Sequence, residues 1–281
     1  MKNATNKAIL SILNIRTYTA RKLDKSVSLE LNRAKHAASD ASRVNKLIIP
    51  KENLRAVSRA VNALRTAHYT NTLPFSQGAQ LLPMANYETY RETISELIID
   101  AEKAARDFVV NYPLLKQSAP RRLGDLYNYS DFPPVEVIAD KFSFSLSFQP
   151  VADAGQFSDI FGISENEKYK IAAEYSKQLE NSYNDSMRAV YERLYKAIQH
   201  MSEKLHDREA VFRESLTNNI SELIELLPRL NINNETTLTE RIKEARELIK
   251  YSGEQLRENP VARENTAKQA DAILSKMAGY L

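Results

Sequence analysis

The chain has 281 residues, 43% of them hydrophobic and 27% charged, with 6 Gly, 10 Pro, no Cys and no Trp. This is the balance of a helix-rich globular protein rather than a disordered or fibrous one, and the lack of cysteine excludes disulfide scaffolds, thiolate metal centres and cysteine nucleophiles and fits a reducing cytoplasm. The net charge of +3 conceals an asymmetry: residues 1–75 hold 14 Lys and Arg against 4 Asp and Glu, residues 76–160 hold 7 against 12, and the remainder 18 against 20.

In chain order, "AILSILNIRTY" over residues 8–18 mixes β-branched and aromatic residues with partial alternation and predicts a strand. The apolar run there is too short to span a membrane, is interrupted by Ser11 and Asn14, and reads as structure rather than a signal. Val27, Leu31, Ala34, Ala38, Ala41 and Val44 then share one side of a wheel, which predicts a helix over 24–45 with Arg33, Lys35, His36, Arg43 and Lys46 spread over the other side. A second helix, 51–69, buries Leu54, Val57, Val61 and Leu64 and turns Lys51, Arg55, Arg59 and Arg65 outward. "AQLL" at 79–82 supplies a short strand, and Asn86 caps a helix to about Asn111 with Tyr90, Ile94, Leu97, Ile98, Ala101, Ala105 and Phe108 inward. Pro113 and Pro120 bracket a short helix, and a loop leads to another over 135–140.

"KFSFSLSFQP" follows at 141–150, with Phe142, Phe144, Leu146 and Phe148 on one face and Ser143, Ser145 and Ser147 on the other. Such a strand needs partners for its backbone, and residues 8–18 and 79–83 are the candidates upstream. Its serine face is expected exposed or covered by a neighbouring subunit. From Ser164 the chain reads as almost wholly helical: one helix of roughly 40 residues, about 60 Å long, then a segment ending at Pro228, a helix carrying Leu238, Ile242, Ala245 and Leu248, and a terminal helix opening at Pro260. The expected fold is α+β and mainly α. A small antiparallel sheet in the N-terminal half packs on helices, and an elongated helical bundle forms the C-terminal half. Two domains are expected, a basic-helix and small-sheet domain over 1–160 and a long-helix bundle over 161–281.

Catalytic patterns are scarce. The glycines at 78, 124, 155, 162, 253 and 279 assemble neither a Walker A loop nor a GxGxxG turn, and no nucleophile elbow is present. His200, Glu203 and His206 are the best metal candidates, yet a di-metal bundle needs a second Glu-x-x-His pair and the sequence has none. They read as solvated residues near a helix end, so no metal or other cofactor is expected. The positive signal is the basic N-terminal third. Arg16, Arg21, Lys22, Arg33, Arg43, Arg55, Arg59 and Arg65 are the candidates to track a phosphate backbone, with Tyr18 and Tyr69 to stack on bases. The competing reading pairs these charges with acidic faces, on the 86–107 helix or on a neighbouring copy.

Four stretches in order, "LNIRTYTARK", "GAQLLPMANY", "RLGDLYNYSDFP" and "KFSFSLSFQPV", carry a resemblance over residues 8–150. The chain resembles an uncharacterised family of phage and proteobacterial-plasmid proteins, a domain of unknown function often encoded near MoxR-type AAA+ ATPases and von Willebrand-type proteins. Tyr18 stands where relatives carry Trp before the basic pair, and the family has no catalytic residues to carry over. The resemblance implies a phage-like setting in a host cytoplasm and speaks against an enzyme. Together these readings expect a non-enzymatic protein that self-associates as a homo-oligomer and binds nucleic acid, in replication or recombination, without a membrane. The alternative is an adaptor, scaffold or inhibitor docking on an AAA+ ATPase or a host factor.

Overall fold

The computed structural model describes residues 7–76, 78–152, 162, 164–207 and 214–280. In chain order these form strands β1 (Ala8–Arg16) and β2 (Arg21–Asp24), helix α1 (Lys25–Ala34), strand β3 (Val44–Leu47), helix α2 (Arg55–Asn71), strands β4 (Leu73–Ser76) and β5 (Ala79–Pro83), and helices α3 (Tyr87–Leu123) and α4 (Val135–Ala139). Strand β6 (Ser143–Pro150) precedes α5 (Glu165–His206), α6 (Ser215–Leu230), α7 (Thr236–Leu248), α8 (Gly253–Glu258) and α9 (Pro260–Met277). The protein is α+β and mainly α, with its small sheet in the N-terminal half and helices throughout the C-terminal part. No helix among the described residues is long and apolar enough to cross a membrane.

Two compact units interleave along the chain. One, the helical unit, comprises Met1–Ile12, His68–Arg91 and Ser147–Leu281; the other, the basic unit, comprises Leu13–Ala67 and Glu92–Leu146. The break expected between residues 160 and 161 lies outside the described residues.

The four-stranded sheet has the order β4-β5-β1-β6, so the "FSFSLSF" strand finds its partner in β1, one of the two candidates the sequence offers. β1 and β5 are antiparallel, with Ala8 opposite Pro83 and Leu10 opposite Leu81. The β4–β5 turn passes through Gly78 at φ 81°, a conformation that costs glycine nothing. Ala8, Leu73 and Leu81 join one core with Val190, Leu194, Ile198 and Met201 of α5 and the inner faces of α6, α7 and α9. The capping box of Ser164 and Glu167 starts α5 where Ser164 was expected to start it. Its buried side chains begin only at Ser186, so the first half of this 42-residue helix contributes none. α6 runs two residues past Pro228, because Leu230 is buried beside Leu226 and Leu227 and holds the turn.

The basic unit departs further from the periodicity. The helix expected over 24–45 is only α1, followed by a return to β3, which pairs antiparallel with β2 as Arg21 opposite Leu47 and Asp24 opposite Val44. Asp24 caps α1 by accepting from the Val27 N–H, and His36 at φ 51° ends the helical path. The Asn32 side chain then fixes the return, donating to the Ser39 carbonyl at 2.9 Å and accepting from the Ser42 hydroxyl at 2.6 Å. In contrast α3 does not stop near Asn111; it continues through Pro113 and Pro120 to Leu123. An interior proline removes a backbone bond and costs about 3 kcal/mol. Here Tyr112 and Ala119 stay buried on the same face as Phe108, and Tyr112 Oη and Lys116 Nζ donate to the carbonyls of Pro133 and Phe132.

A candidate nucleic-acid interface

Within the basic unit, a cleft of about 360 Å³ lies between the Thr17–Arg21 segment, the Leu47–Ile49 stretch and one face of the helix that starts at Lys51. The positions 51, 54, 58, 61 and 65 recur at three or four residues, so this face looks continuously into the cleft. Ile49, Leu54, Val57 and Val61 form an apolar floor, Thr17, Thr19, Ser58 and Asn62 offer hydrogen-bonding groups, and Arg21, Lys51 and Arg65 supply the charge. No carboxylate lines it.

Backbone strain shapes one wall. Ala20 is fully buried at φ 52°, a left-handed conformation that costs a non-glycine residue about 1–2 kcal/mol. Its carbonyl accepts from the Ile48 N–H at 2.9 Å, which ties the bend to the residue between the two wall positions Leu47 and Ile49. The bend closes β1 and opens β2, and Arg21 leaves it exposed at the cleft.

Nearby carboxylates are taken up elsewhere. Lys46 Nζ lies 2.9 Å from Asp24 and 2.8 Å from Asp131, all three side chains more than nine-tenths buried, and donates to the Leu126 carbonyl. The Ser26 hydroxyl, Lys46 and the Val27 N–H hold the Asp24 carboxyl down at about 2. Burial pulls Lys46 down, but Asp131 and Asp24 outweigh it and leave the ammonium above the ordinary lysine value. A buried hub of this kind ties both carboxylates to an internal lysine, although its two negative charges leave one uncancelled by Lys46.

All eight sequence-predicted residues, Arg16, Arg21, Lys22, Arg33, Arg43, Arg55, Arg59 and Arg65, are exposed and belong to the basic unit. None of them is in an ion pair recorded among the described residues. The cleft brings together only Arg21 and Arg65; Lys22 lines a separate hollow with Asp24, Asp125 and Asp131. One expectation is corrected. Lys46 is not on an outward helix face, because it stands in β3 with its side chain turned into the hub. Tyr18 lines the cleft, its ring 6.1 Å from Phe108 and its hydroxyl buried, which raises its pKa above the ordinary range. Tyr69 is exposed but belongs to the helical unit. Lys51, missing from the sequence-based set, was signalled by its place on the same arc as Arg55 and Arg65.

The helical unit holds a polar network that no sequence pattern announced. Tyr90 Oη sits 2.7 Å from Ser11 Oγ and 2.7 Å from His68 Nδ1, and all three residues are buried. Burial lowers His68 to about 4 and raises Tyr90 to about 12, so both are neutral near pH 7. Of the metal candidates, His206 Nε2 is 2.9 Å from Asp271, whose other oxygen accepts from Ser202. No group of three or more metal-ligating side chains occurs among the described residues.

No family model, curated protein or solved structure matches this chain. Charge, shape and burial define the site.

Proposed function

We propose that this protein binds nucleic acid without acting on it chemically, with the Arg21–Lys51–Arg65 cleft as anchor and Arg16, Lys22, Arg33, Arg43, Arg55 and Arg59 extending the contact along the backbone. One observation carries the reading: three exposed cations converge on a concave surface that no carboxylate lines, and Asp24 and Asp131 of the same unit are buried against Lys46. Unpaired Lys and Arg attract a polyanion because each neutralised phosphate releases a condensed counterion. The apolar floor adds a place for an unstacked base, which phosphate contacts alone do not require. The phage-like setting implied by the resemblance makes replication or recombination the process this reading favours.

Fluorescence anisotropy with a labelled oligonucleotide at rising salt tests it. Binding is expected to weaken linearly on a log–log scale, and the triple variant Arg21→Ala, Lys51→Ala, Arg65→Ala to reduce that slope by about 2. Undetectable binding at 50 mM salt, or a slope the triple variant leaves unchanged, removes the proposal.

A further inference from the structure

α3 has two faces, and only one is covered. Ala101, Ala105, Phe108, Tyr112 and Ala119 are buried, whereas Ile99, Val110 and Leu114 are 60%, 76% and 66% exposed. At about 100° per residue the three exposed aliphatics fall within about 60° of one another, directly opposite the buried stripe. Large apolar side chains aligned in solvent mark an interaction surface. Beside Val110 an apolar groove of about 340 Å³ lined by Val109, Ala139, Phe142 and Phe144 widens it.

The charges between Ile99 and Val110 identify the occupant. About the line from Ile99 to Val110, Glu102 and Arg106 lie on one side and Lys103 and Asp107 on the other, with Lys103 at an angle between Val110 and Leu114, and each side carries opposite charges four residues apart. A two-fold axis perpendicular to α3, passing between residues 104 and 105, lays a second α3 antiparallel on the first. It sets Glu102 against Arg106 of the copy, Lys103 against Asp107 of the copy, and Ile99 against Val110 of the copy. Every one of these relations is reciprocal, as an isologous interface requires. Glu102 and Arg106 approach to 3.5 Å within one helix, an exposed pair that the pairing between copies exchanges for an equivalent one. We infer that two copies of this chain associate through the Ile99–Leu114 face of α3. The inference stands on α3 alone and does not depend on nucleic-acid binding.

Sedimentation velocity of the full chain from about 1 to 100 μM reads the assembly. The wild type is expected to reach twice the monomer mass, and Ile99→Glu with Val110→Glu to stay monomeric with an unchanged melting temperature, since both side chains are exposed. Glu102→Arg alone sets like charges together and is expected to raise the dimer dissociation constant about tenfold; adding Arg106→Glu restores the pairing and the dimer. The chain has no native cysteine, so a variant with Ile99→Cys and Val110→Cys tests the register, and oxidation is expected to link two copies covalently. A wild type that stays monomeric, a dimer indifferent to the glutamates, or a cysteine variant that gives no linked dimer overturns the inference.

Discussion

The helical unit and the basic unit solve the problem of buried polarity in opposite ways. The helical unit has a largely aliphatic core and, in addition, a buried neutral network, Ser11–Tyr90–His68, in which no proton has to leave or arrive near pH 7. The basic unit has a smaller core, rich in Phe108, Tyr112 and Phe132, and beside it a charged hub, Asp24–Lys46–Asp131. Net charge follows the same division: 18 Lys and Arg against 13 Asp and Glu give the basic unit +5, while 21 against 23 give the helical unit −2. The hub spends two of the basic unit's carboxylates on one internal lysine, so the other 17 Lys and Arg of the unit outnumber its other 11 Asp and Glu. Interior electrostatics in this unit thus shape what its surface attracts.

The largest expected effects test whether the hub is as central to one unit as the aliphatic core is to the other. Lys46→Ala strands two buried carboxylates, and breaking a buried pair in this way is predicted to cost about 4 kcal/mol in chemical denaturation at pH 7. Because the penalty comes from uncompensated negative charge, it is expected to shrink in acid; a penalty that does not change with pH would assign the loss to packing alone. Leu194→Ala, at a fully buried position on α5, is predicted to cost about 3 kcal/mol through transfer and cavity effects and to show no such pH dependence.

Acid titration separates the two designs at intermediate size. His68 has a native pKa of about 4 against an ordinary 6.5, so between these values the unfolded chain binds a proton that the native chain refuses. Stability therefore falls as pH drops through that window, by up to about 3 kcal/mol. His68→Asn removes the titration and is expected to flatten the slope between pH 6.5 and 4. Asp24 works lower down. Its depressed pKa, from 3.8 to about 2, stabilises the native state above pH 4, and this contribution is lost as pH falls toward 2. Asp24→Asn keeps a capping oxygen and is predicted to abolish only that lower step. The same acid dependence in both variants would contradict the assignment of the two windows.

What could be read in the sequence followed the range of the interaction concerned. The α5 start at Ser164, the inward stripe Leu54–Val57–Val61–Leu64 and the strands at 8–16 and 79–83 were legible because capping, periodicity and alternation are local. The helix expected over 24–45 failed because Ala38 and Ala41 continue an apolar spacing by coincidence, while the Asn32 hydrogen bonds and the β2–β3 pairing act at a distance. α3 passed two prolines for the corresponding reason, since contacts with Phe132 and Pro133 are invisible to a local pattern. At the site, composition marked the basic faces but not which cations converge. That depends on the bend at Ala20, and alanine carries no signal for a left-handed conformation.

That bend gives the smallest predicted effect and the most specific one. Ala20→Gly relieves the strain of φ 52°, worth about 1–2 kcal/mol. It also removes a buried methyl, worth about 0.8 kcal/mol, and adds unfolded-state freedom worth about 0.5–1 kcal/mol. These terms nearly cancel, so the melting temperature should hardly move. Binding behaves differently, because a glycine bend holds Arg21 less firmly beside Lys51 and Arg65, and ordering it on association is predicted to weaken nucleic-acid affinity about two- to fivefold. Anisotropy at fixed salt measures that change directly. Unchanged affinity with unchanged stability would mean that the strain at Ala20 serves only the chain reversal between β1 and β2, and that the cleft owes its working cations to Lys51 and Arg65 alone.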